Sequence, residues 1–502
     1  MGLIYTIAAV FVLNLHVSYS MLPGLQMAVS MHALGYLAQI GEEYLNQNLT
    51  STKLDDISGT VDIDVLFITY SVDYIFYDIK IESFSNGITS IISSKEKGLV
   101  FMISGINVII RANVYIDGGI FDAETKAQLS LRGASVVAGA LLGSASDGSF
   151  ILSCTTCQAN SGSVDVDFSG GSSWFFEVMD AIADFPEIVN EKFQSAVCDF
   201  LTKMINKDAN NKVKSFPTQV EVGDEAIIDY AQTKPPYYDS KGMATFHKGE
   251  FLSVHHPSIK YNFSANPFPF FRTKRMMSFW LSEYIGNTAA ITYQVEHMLN
   301  YLLTPENLNN KILINALNTH ALRLIMPNFY KEYPNTNYSV FFDSLLAPQI
   351  RITEKMCYIR LWTRSNISAI TSKGPVPAFS LNMNLNLSTI FNISKTLKLT
   401  LDLKALKADL SVFDSQIGDI SSTEVTLLKI FFIDLVLKEG IKLIGERGFQ
   451  LPSVDDLEVV NPKISFNDGF IFIEFDANIL FISKKLEESK RGITNFLGAY
   501  FK

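Results

Sequence analysis

Charge is what this sequence has least of. Asp, Glu, Lys and Arg make up 18% of its 502 residues, against about 25% in an average globular protein. Only four cysteines occur, at 154, 157, 198 and 357, and no Gly-x-Ser-x-Gly elbow, His-Glu-x-x-His or phosphate-binding P-loop is present. Their absence removes the hydrolase and nucleotide-binding classes that rest on those spacings. Cys154-Thr-Thr-Cys157 has no second CxxC and no nearby His to complete a zinc site. It also precedes a strand pattern, whereas a redox pair normally opens a helix. His255-His256 sits beside Pro257 in an irregular stretch and reads as exposed loop. No metal, no cofactor and no enzymatic activity is expected.

Long apolar runs are scarce as well. The apolar stretch Leu3 to Leu15 is too short for a span of roughly 20 residues, and Ser18-Tyr19-Ser20 supplies small residues where a signal peptidase cuts. Residues 1–20 are therefore read as a cleaved leader. The next-best run, Val425 to Ile444, carries Lys429, Asp434, Lys438, Glu439 and Lys442. At about 2.5–3.5 kcal/mol per mid-membrane charge, it is an amphipathic helix and not a span. The expectation is a soluble, secreted, extracellular chain. Six Asn-x-Ser/Thr sequons then read as surface glycan acceptors: Asn48, Asn262, Asn337, Asn366, Asn386 and Asn392.

Basic residues are few in the first half. Met21 to Tyr230 holds 12 Lys/Arg against 27 Asp/Glu, a balance of −15, whereas residues 231–502 hold 29 against 24, a balance of +5. An acidic half is a poor surface for nucleic acid or anionic membrane.

What the chain does have is apolar periodicity. Hydrophobic residues are 48% of it, enough for large cores or for apolar walls of a cavity. Leu25, Val29, Ala33, Tyr36, Leu37, Ile40 and Tyr44 recur at helical steps behind Pro23-Gly24. Residues 58–168 alternate as strands, for example Val61, Ile63 and Val65, punctuated by glycines as a meander of antiparallel hairpins requires. Trp174, Phe175, Met179, Ile182, Val189, Phe193, Val197 and Leu201 form a long helical stripe, with Pro186 bending it or opening a turn. A Pro-rich stretch over 231–272 separates the halves. The same order then returns: a helix over Met276 to Tyr293, alternating strands near 379–403, a helix over Thr423 to Gly445, and strands near 457–466 and 470–476. In an oxidising compartment one of Cys154 and Cys157 would pair with Cys198, closing a loop of about 40 residues worth roughly 2–4 kcal/mol. The residues alone do not choose between them.

Ser153-Cys-Thr-Thr-Cys-Gln158, Val164-Asp-Val-Asp-Phe-Ser-Gly170, Trp174 and Cys198 together resemble the signature of the bactericidal/permeability-increasing protein family, which includes lipopolysaccharide-binding protein and the phospholipid and cholesteryl ester transfer proteins. Further similarities run along the chain: Gly35-Tyr-Leu-Ala38, Pro235-Pro236, Lys248-Gly-Glu-Phe251, Ser282-Glu-Tyr284, Asn287-Thr-Ala289 and Gly448-Phe-Gln-Leu-Pro452. The resemblance implies Cys157 as the partner of Cys198. It implies an α+β fold of two tandem barrel-like domains, each a twisted antiparallel sheet with a long helix, joined by a central sheet into an elongated boomerang. It also implies apolar pockets for lipid tails. On that basis residues 21–218 form an N-terminal lipid-binding domain, 219–272 the central sheet and linker, and 273–480 a C-terminal lipid-binding domain; residues 481–502 depart from the family pattern as a basic amphipathic tail whose Ile493, Phe496, Leu497, Tyr500 and Phe501 are spaced like one helical face, to touch membrane or cover a pocket mouth. Val29, Ala33, Leu37, Ile40, Phe175, Met179, Ile182 and Val189 are the candidate pocket residues, each competing with ordinary core packing.

The resemblance also implies a function. The chain is expected to carry phospholipid or neutral lipid as a monomer, with transient contact to membrane or lipoprotein surfaces and none to nucleic acid. The alternative is an innate-defence protein binding bacterial lipopolysaccharide. Lys95, Lys97, Lys126 and Arg132 are few and interleaved with acids, which weighs against an anionic glycolipid.

Overall fold

The computed structural model describes residues 22–39, 56–65, 68–85, 87–119, 122–169, 185–269, 274–308, 311–433, 448–450 and 457–479. Residues 1–20, Ile40, Asn48, Trp174, Phe175, Met179, Ile182, the later part of the stretch expected as helix over 423–445 and residues 481–502 lie outside the described residues.

The first half opens on strand β1 (Leu25–Ser30), followed directly by helix α1 (residues 31–39). The helical spacing from Leu25 thus misassigns its first six residues. β1 is a central strand flanked on both edges; Leu25, Met27 and Val29 alternate with Gln26, Ala28 and Ser30, but six residues are too few to stand out against the helical spacing that continues into α1. Ser30 makes the switch: its hydroxyl accepts from Ala33 N, 3.3 Å away, as an N-cap does.

A seven-stranded antiparallel sheet follows: β2 (Ile57–Val65), β3 (Ile68–Ser85), β4 (Ile88–Ser94), β5 (Gly98–Asp117), β6 (Asp122–Ser144), β7 (Phe150–Asn160) and β8 (Ser163–Ser169). β5 and β6 form its spine. β3 and β4 share one edge of β5, and β7 and β8 share one edge of β6. The spine bulges at Ser104/Ile106, where Gly105 and Gly133 take φ of +75° and +72°; glycine adopts that backbone without the penalty of a Cβ. Helix α2 (Phe185–Lys203) then runs over β7, continued by a π-helical turn, Met204–Ala209, and a short helix, Asn210–Lys214.

The connecting region is folded and not irregular. β9 (Gln219–Val222), β10 (Ala226–Asp229) and β13 (Glu250–Ser253) make a small sheet, and β11 (Gln232–Asp239) with β12 (Gly242–His247) forms a hairpin. The Pro235-Pro236 pair lies in β11, where register shifts absorb it at the sheet edge.

The second half repeats the opening. β14 (Met277–Ser282) leads into α3 (Glu283–Val295), capped by the Ser282 hydroxyl. Again the spacing that predicted helix from Met276 covers a buried strand first. β15 (Tyr301–Leu303), β16 (Tyr338–Ile352), β17 (Cys357–Thr371), β18 (Gly374–Ile393), β19 (Lys398–Ser415) and β20 (Phe449–Gln450) form a six-stranded antiparallel sheet. α4 (Ser422–Phe431) begins in a full capping box between Ser421 and Glu424. β21 (Leu457–Asn467) and β22 (Phe470–Ile479) complete the described chain.

Neither large sheet is a barrel, contrary to the expectation. Each runs as an open path, β2-β3-β5-β6-β7 and β15-β16-β17-β18-β19-β20, and no described pair joins its ends. Closure demands that the last strand hydrogen-bond to the first; here helices cover the concave apolar faces instead. The central sheet has the order β11-β12-β1-β14-β22-β21. Each half contributes its opening strand and one hairpin, so the sheet is pseudo-symmetric about the β1/β14 pair. Phe279, Ile473 and Phe475 are buried on one face of it, and Trp280 stacks near Phe472 (4.8 Å between ring centroids) on the other.

His247 on β12 is buried in this region. Its Nδ1 lies 2.7 Å from the Tyr230 carbonyl and its Nε2 lies 2.9 Å from the Thr245 hydroxyl. The carbonyl must accept, so Nδ1 carries the proton and Nε2 accepts from Thr245. Burial holds the imidazole below its usual value near 6.5. The unfolded chain therefore gains this proton first as pH falls, and stability present above about pH 6.5 is lost below it. His247→Gln should give a shallower drop in melting temperature between about pH 7 and about pH 5; identical slopes would remove His247 from the acid response.

Two apolar cavities as the candidate functional site

The first cavity lies between the seven-stranded sheet and α2. Its volume is about 270 Å³, above the roughly 150 Å³ that stays dry and accepts benzene in an engineered core. β3 supplies Phe76, Ile79, Ile81 and Phe84; β5 supplies Phe101 and the alternate residues Ile106, Val108, Ile110 and Ala112; β6 supplies Leu129, Leu131 and Val136. Within each run the period of two puts these side chains on one face, and the register shifts at Tyr77/Lys80, Ile81/Ser83 and Ser104/Ile106 change its parity between runs. α2 closes the space with Val189, Phe193, Val197 and Leu201, which recur every four residues on one side of the helix. Polar groups enter only at the mouth: Asp56, Lys192, Ser195 and Asp199.

A disulfide pins that helix to the sheet. Cys157 on β7 is bonded to Cys198 on α2, with a Cα separation of 5.6 Å. Cys154 remains a free thiol, with its sulfur 3.8 Å from the Thr202 hydroxyl one helical turn beyond Cys198. A bulge in β7 turns both sulfurs toward α2, since Ala138 pairs with Cys157 and Ala140 with Cys154.

The second cavity, about 420 Å³, lies between α3 and the second-half sheet. Ile285, Gly286, Ala289, Ala290 and Tyr293 face it from the helix; Ile350, Ile352, Cys357, Ile359, Leu361, Phe391, Leu399 and Leu401 face it from the strands; Leu281 and Ile471 face it from the central sheet. A Cβ at Gly286 would sit 2.8 Å from Ile350 Cδ1, so glycine lets the helix approach the strand this closely. Asn287 fastens the approach by donating to the Ile350 carbonyl and accepting from its N–H, both at 2.9 Å. Glu283 adds an ion pair to Arg351 (2.9 Å) and accepts from Ile352 N (2.8 Å). Thus Glu283 and Asn287, singled out in sequence only as part of a motif, hold the cavity's helix in place. Burial pushes the Cys357 thiol in this wall up to about 12, so it stays protonated at neutral pH.

The structure distributes the sequence candidates unevenly. Val189 is buried and lines the first cavity. Ala33 is buried on α1, Leu37 is 42% exposed on the same helix, and Val29 pairs with Met243 and Met277 inside the central sheet. None of these three lines either of the two cavities described above. Sequence reasoning concentrated on helices and missed the sheet walls, although the alternation of Val108, Ile110 and Ala112 was readable. His255 does not enter a metal site; its Nδ1 meets Glu296 at 2.8 Å, and no metal-ligating cluster occurs among the described residues.

Both halves match one family. Residues 33–212 match the N-terminal domain and residues 220–479 the C-terminal domain of the LBP / BPI / CETP family. The chain belongs to this family. It is 24% identical over 468 residues to lipopolysaccharide-binding protein of Homo sapiens, covering 92% of this chain and 94% of that one. It is also 24% identical to bactericidal permeability-increasing protein of Rattus norvegicus over 466 residues, with coverage of 91% and 94%. A crystal structure of lipopolysaccharide binding protein superposes with a TM-score of 0.59 at 19% identity, covering 91% of this chain and 99% of that one, which shows a shared fold. Family membership makes the protein a non-catalytic binder or carrier of lipid.

Two outcomes follow from the cavity walls. Cys198→Ala should lower stability by about 2–4 kcal/mol, read as a lower melting temperature without reductant; an unchanged melt would mean that the Cys157–Cys198 bridge does not constrain α2. A maleimide at neutral pH should label Cys154 and spare Cys357 until the protein unfolds. Equal labelling of both in the native state would mean that water reaches the second cavity.

Proposed function

We propose that this protein is a secreted carrier that shelters the acyl chains of phospholipid or neutral lipid, one cavity in each half. The carrying observation is the pair of cavities, each formed by a helix laid over an open sheet and each lined mainly by apolar side chains. Burying a methylene contributes about 0.8 kcal/mol, so a pair of acyl chains is held without a covalent bond. At the first mouth Lys192 offers a partner for a lipid phosphate, and Asp56 and Asp199 offer partners for a headgroup ammonium. The proposed division is a leader at 1–20, an N-terminal lipid-binding domain at 21–218, a linking region at 219–272 and a C-terminal lipid-binding domain at 273–480. The basic tail at 481–502 provides transient contact with a membrane or lipoprotein surface. The protein is proposed to act as a monomer.

Relatives named for lipopolysaccharide binding support a second reading, innate-defence recognition of that glycolipid. The first half weighs against it. Its balance from Met21 to Tyr230 is −15, and several of its cations already meet acids: Lys80 with Asp78, Arg111 with Glu82, Arg132 with Asp165. A polyphosphorylated headgroup gains neither steering nor contact energy from such a surface.

Native mass spectrometry with lipid extraction tests the carrier reading, alongside transfer of labelled phosphatidylcholine between vesicles. Bound lipid and transfer are expected. Val108→Trp should empty the first cavity and Ala289→Trp the second, each removing about half of the extracted lipid while the circular dichroism spectrum is kept. Unchanged lipid in both variants, or an empty protein with salt-sensitive lipopolysaccharide binding, would overturn it.

A further inference from the structure

Three of the six sequons lie on one face of one sheet. On β17 and β18 the inward residues Thr363, Ser365, Ile367, Met383, Leu385 and Leu387 are buried. The alternate residues, Asn366 on β17 and Asn386 and Asn392 on β18, therefore point to the opposite, outer side. α3 and α4 pack against the inner side, where Ala289 and Ala290 line the second cavity and Leu428 enters the core.

The register spaces the three asparagines evenly. Asn366 pairs with Ser380, six residues before Asn386, which is six before Asn392. At about 3.3 Å per residue each step is about 20 Å along the strand direction. In the first two the amide oxygen is already engaged: Ser380 Oγ donates to Asn366 Oδ1 at 2.8 Å, and Arg360 Nε donates to Asn386 Oδ1 at 3.0 Å. Those bonds orient each amide and leave Nδ2, the atom that takes a sugar, outside them. Asn392 is exposed opposite Thr400. Aromatic surface lies beside them. Phe341, directly across from Asn366, is 37% exposed, and Tyr358, two residues from Arg360, is 42% exposed.

We propose that the outer face of the second-half sheet is a glycan-carrying face, with N-linked sugar on Asn366, Asn386 and Asn392 covering Phe341 and Tyr358. In each transfer Nδ2 bonds the anomeric carbon of a lipid-linked oligosaccharide diphosphate. The anomeric carbon–oxygen bond to phosphate breaks, the lipid diphosphate leaves, and the amide proton passes to the transferase. The Oδ1 contacts survive because only Nδ2 is substituted. Such a coat removes this face from docking, so approach to a lipid surface falls to other sides of the molecule. The inference rests on the secretory route proposed above.

The test is expression of the full chain in a secreting eukaryotic cell, enzymatic deglycosylation in heavy-oxygen water, and peptide mass spectrometry. Conversion of Asn366, Asn386 and Asn392 to labelled Asp is expected. Asn366→Gln, Asn386→Gln and Asn392→Gln should each remove one glycan's mass, and hydroxyl-radical labelling of Phe341 and Tyr358 should rise after deglycosylation. Unmodified Asn366 and Asn386 in secreted protein that carries sugar at Asn262 or Asn337 would overturn the glycan face while leaving secretion intact. A chain retained in the cytosol with no sugar at any site would overturn both.

Discussion

Leu25–Val29 lies antiparallel to Met277–Leu281, and the two halves meet through this pairing. The partners are about 250 residues apart in sequence, so forming it closes a very long loop, and loop closure of that length is slow and entropically costly. Apolar burial on both faces offsets the cost: Met27 sits opposite Phe279 and Ala28 opposite Ser278, with Ala244 and Trp280 packed beside Ala28. Ser30 and Ser282 end their respective strands and cap the helices that follow.

The cavities depend on that arrangement. α3 leaves the central sheet at Ser282 and is drawn onto β16 by Glu283, Gly286 and Asn287, so the cavity wall is continuous with the central sheet through Leu281 and Ile471. In the first half the closing element is α2, pinned by Cys157–Cys198. The two cavities are thus analogous in chemistry and differ in which helix covers them. Open sheets make this workable: a closed barrel of this size fills its interior with side chains, whereas an open curved sheet under a helix leaves a trough.

How much of this was legible varies by element. The meander of β2–β8 and the strands β18, β21 and β22 could be read from alternation, because a more buried and a less buried face alternate along them. The stripe of Val189, Phe193, Val197 and Leu201 was legible for the same reason. β1 and β14 were read as helix because each is only six residues long and runs directly into a helix, so its period of two was absorbed into the helical spacing that follows. Leu37 shows the opposite error: it fits a helical apolar stripe but ends 42% exposed, since spacing reports which residues share a face and not what that face meets.

By itself the sequence determined the class of the protein, its division into two similar halves, its poverty of charge and the acidic character of its first half. Those properties are local or additive, and composition and short-range periodicity carry them. Only the tertiary structure decided that the sheets stay open, which helix covers each cavity, and that Asn366, Asn386 and Asn392 share one outer face. Each of these depends on pairings between residues far apart in the chain. A strand's register and its neighbours, unlike its period, are written in no single segment.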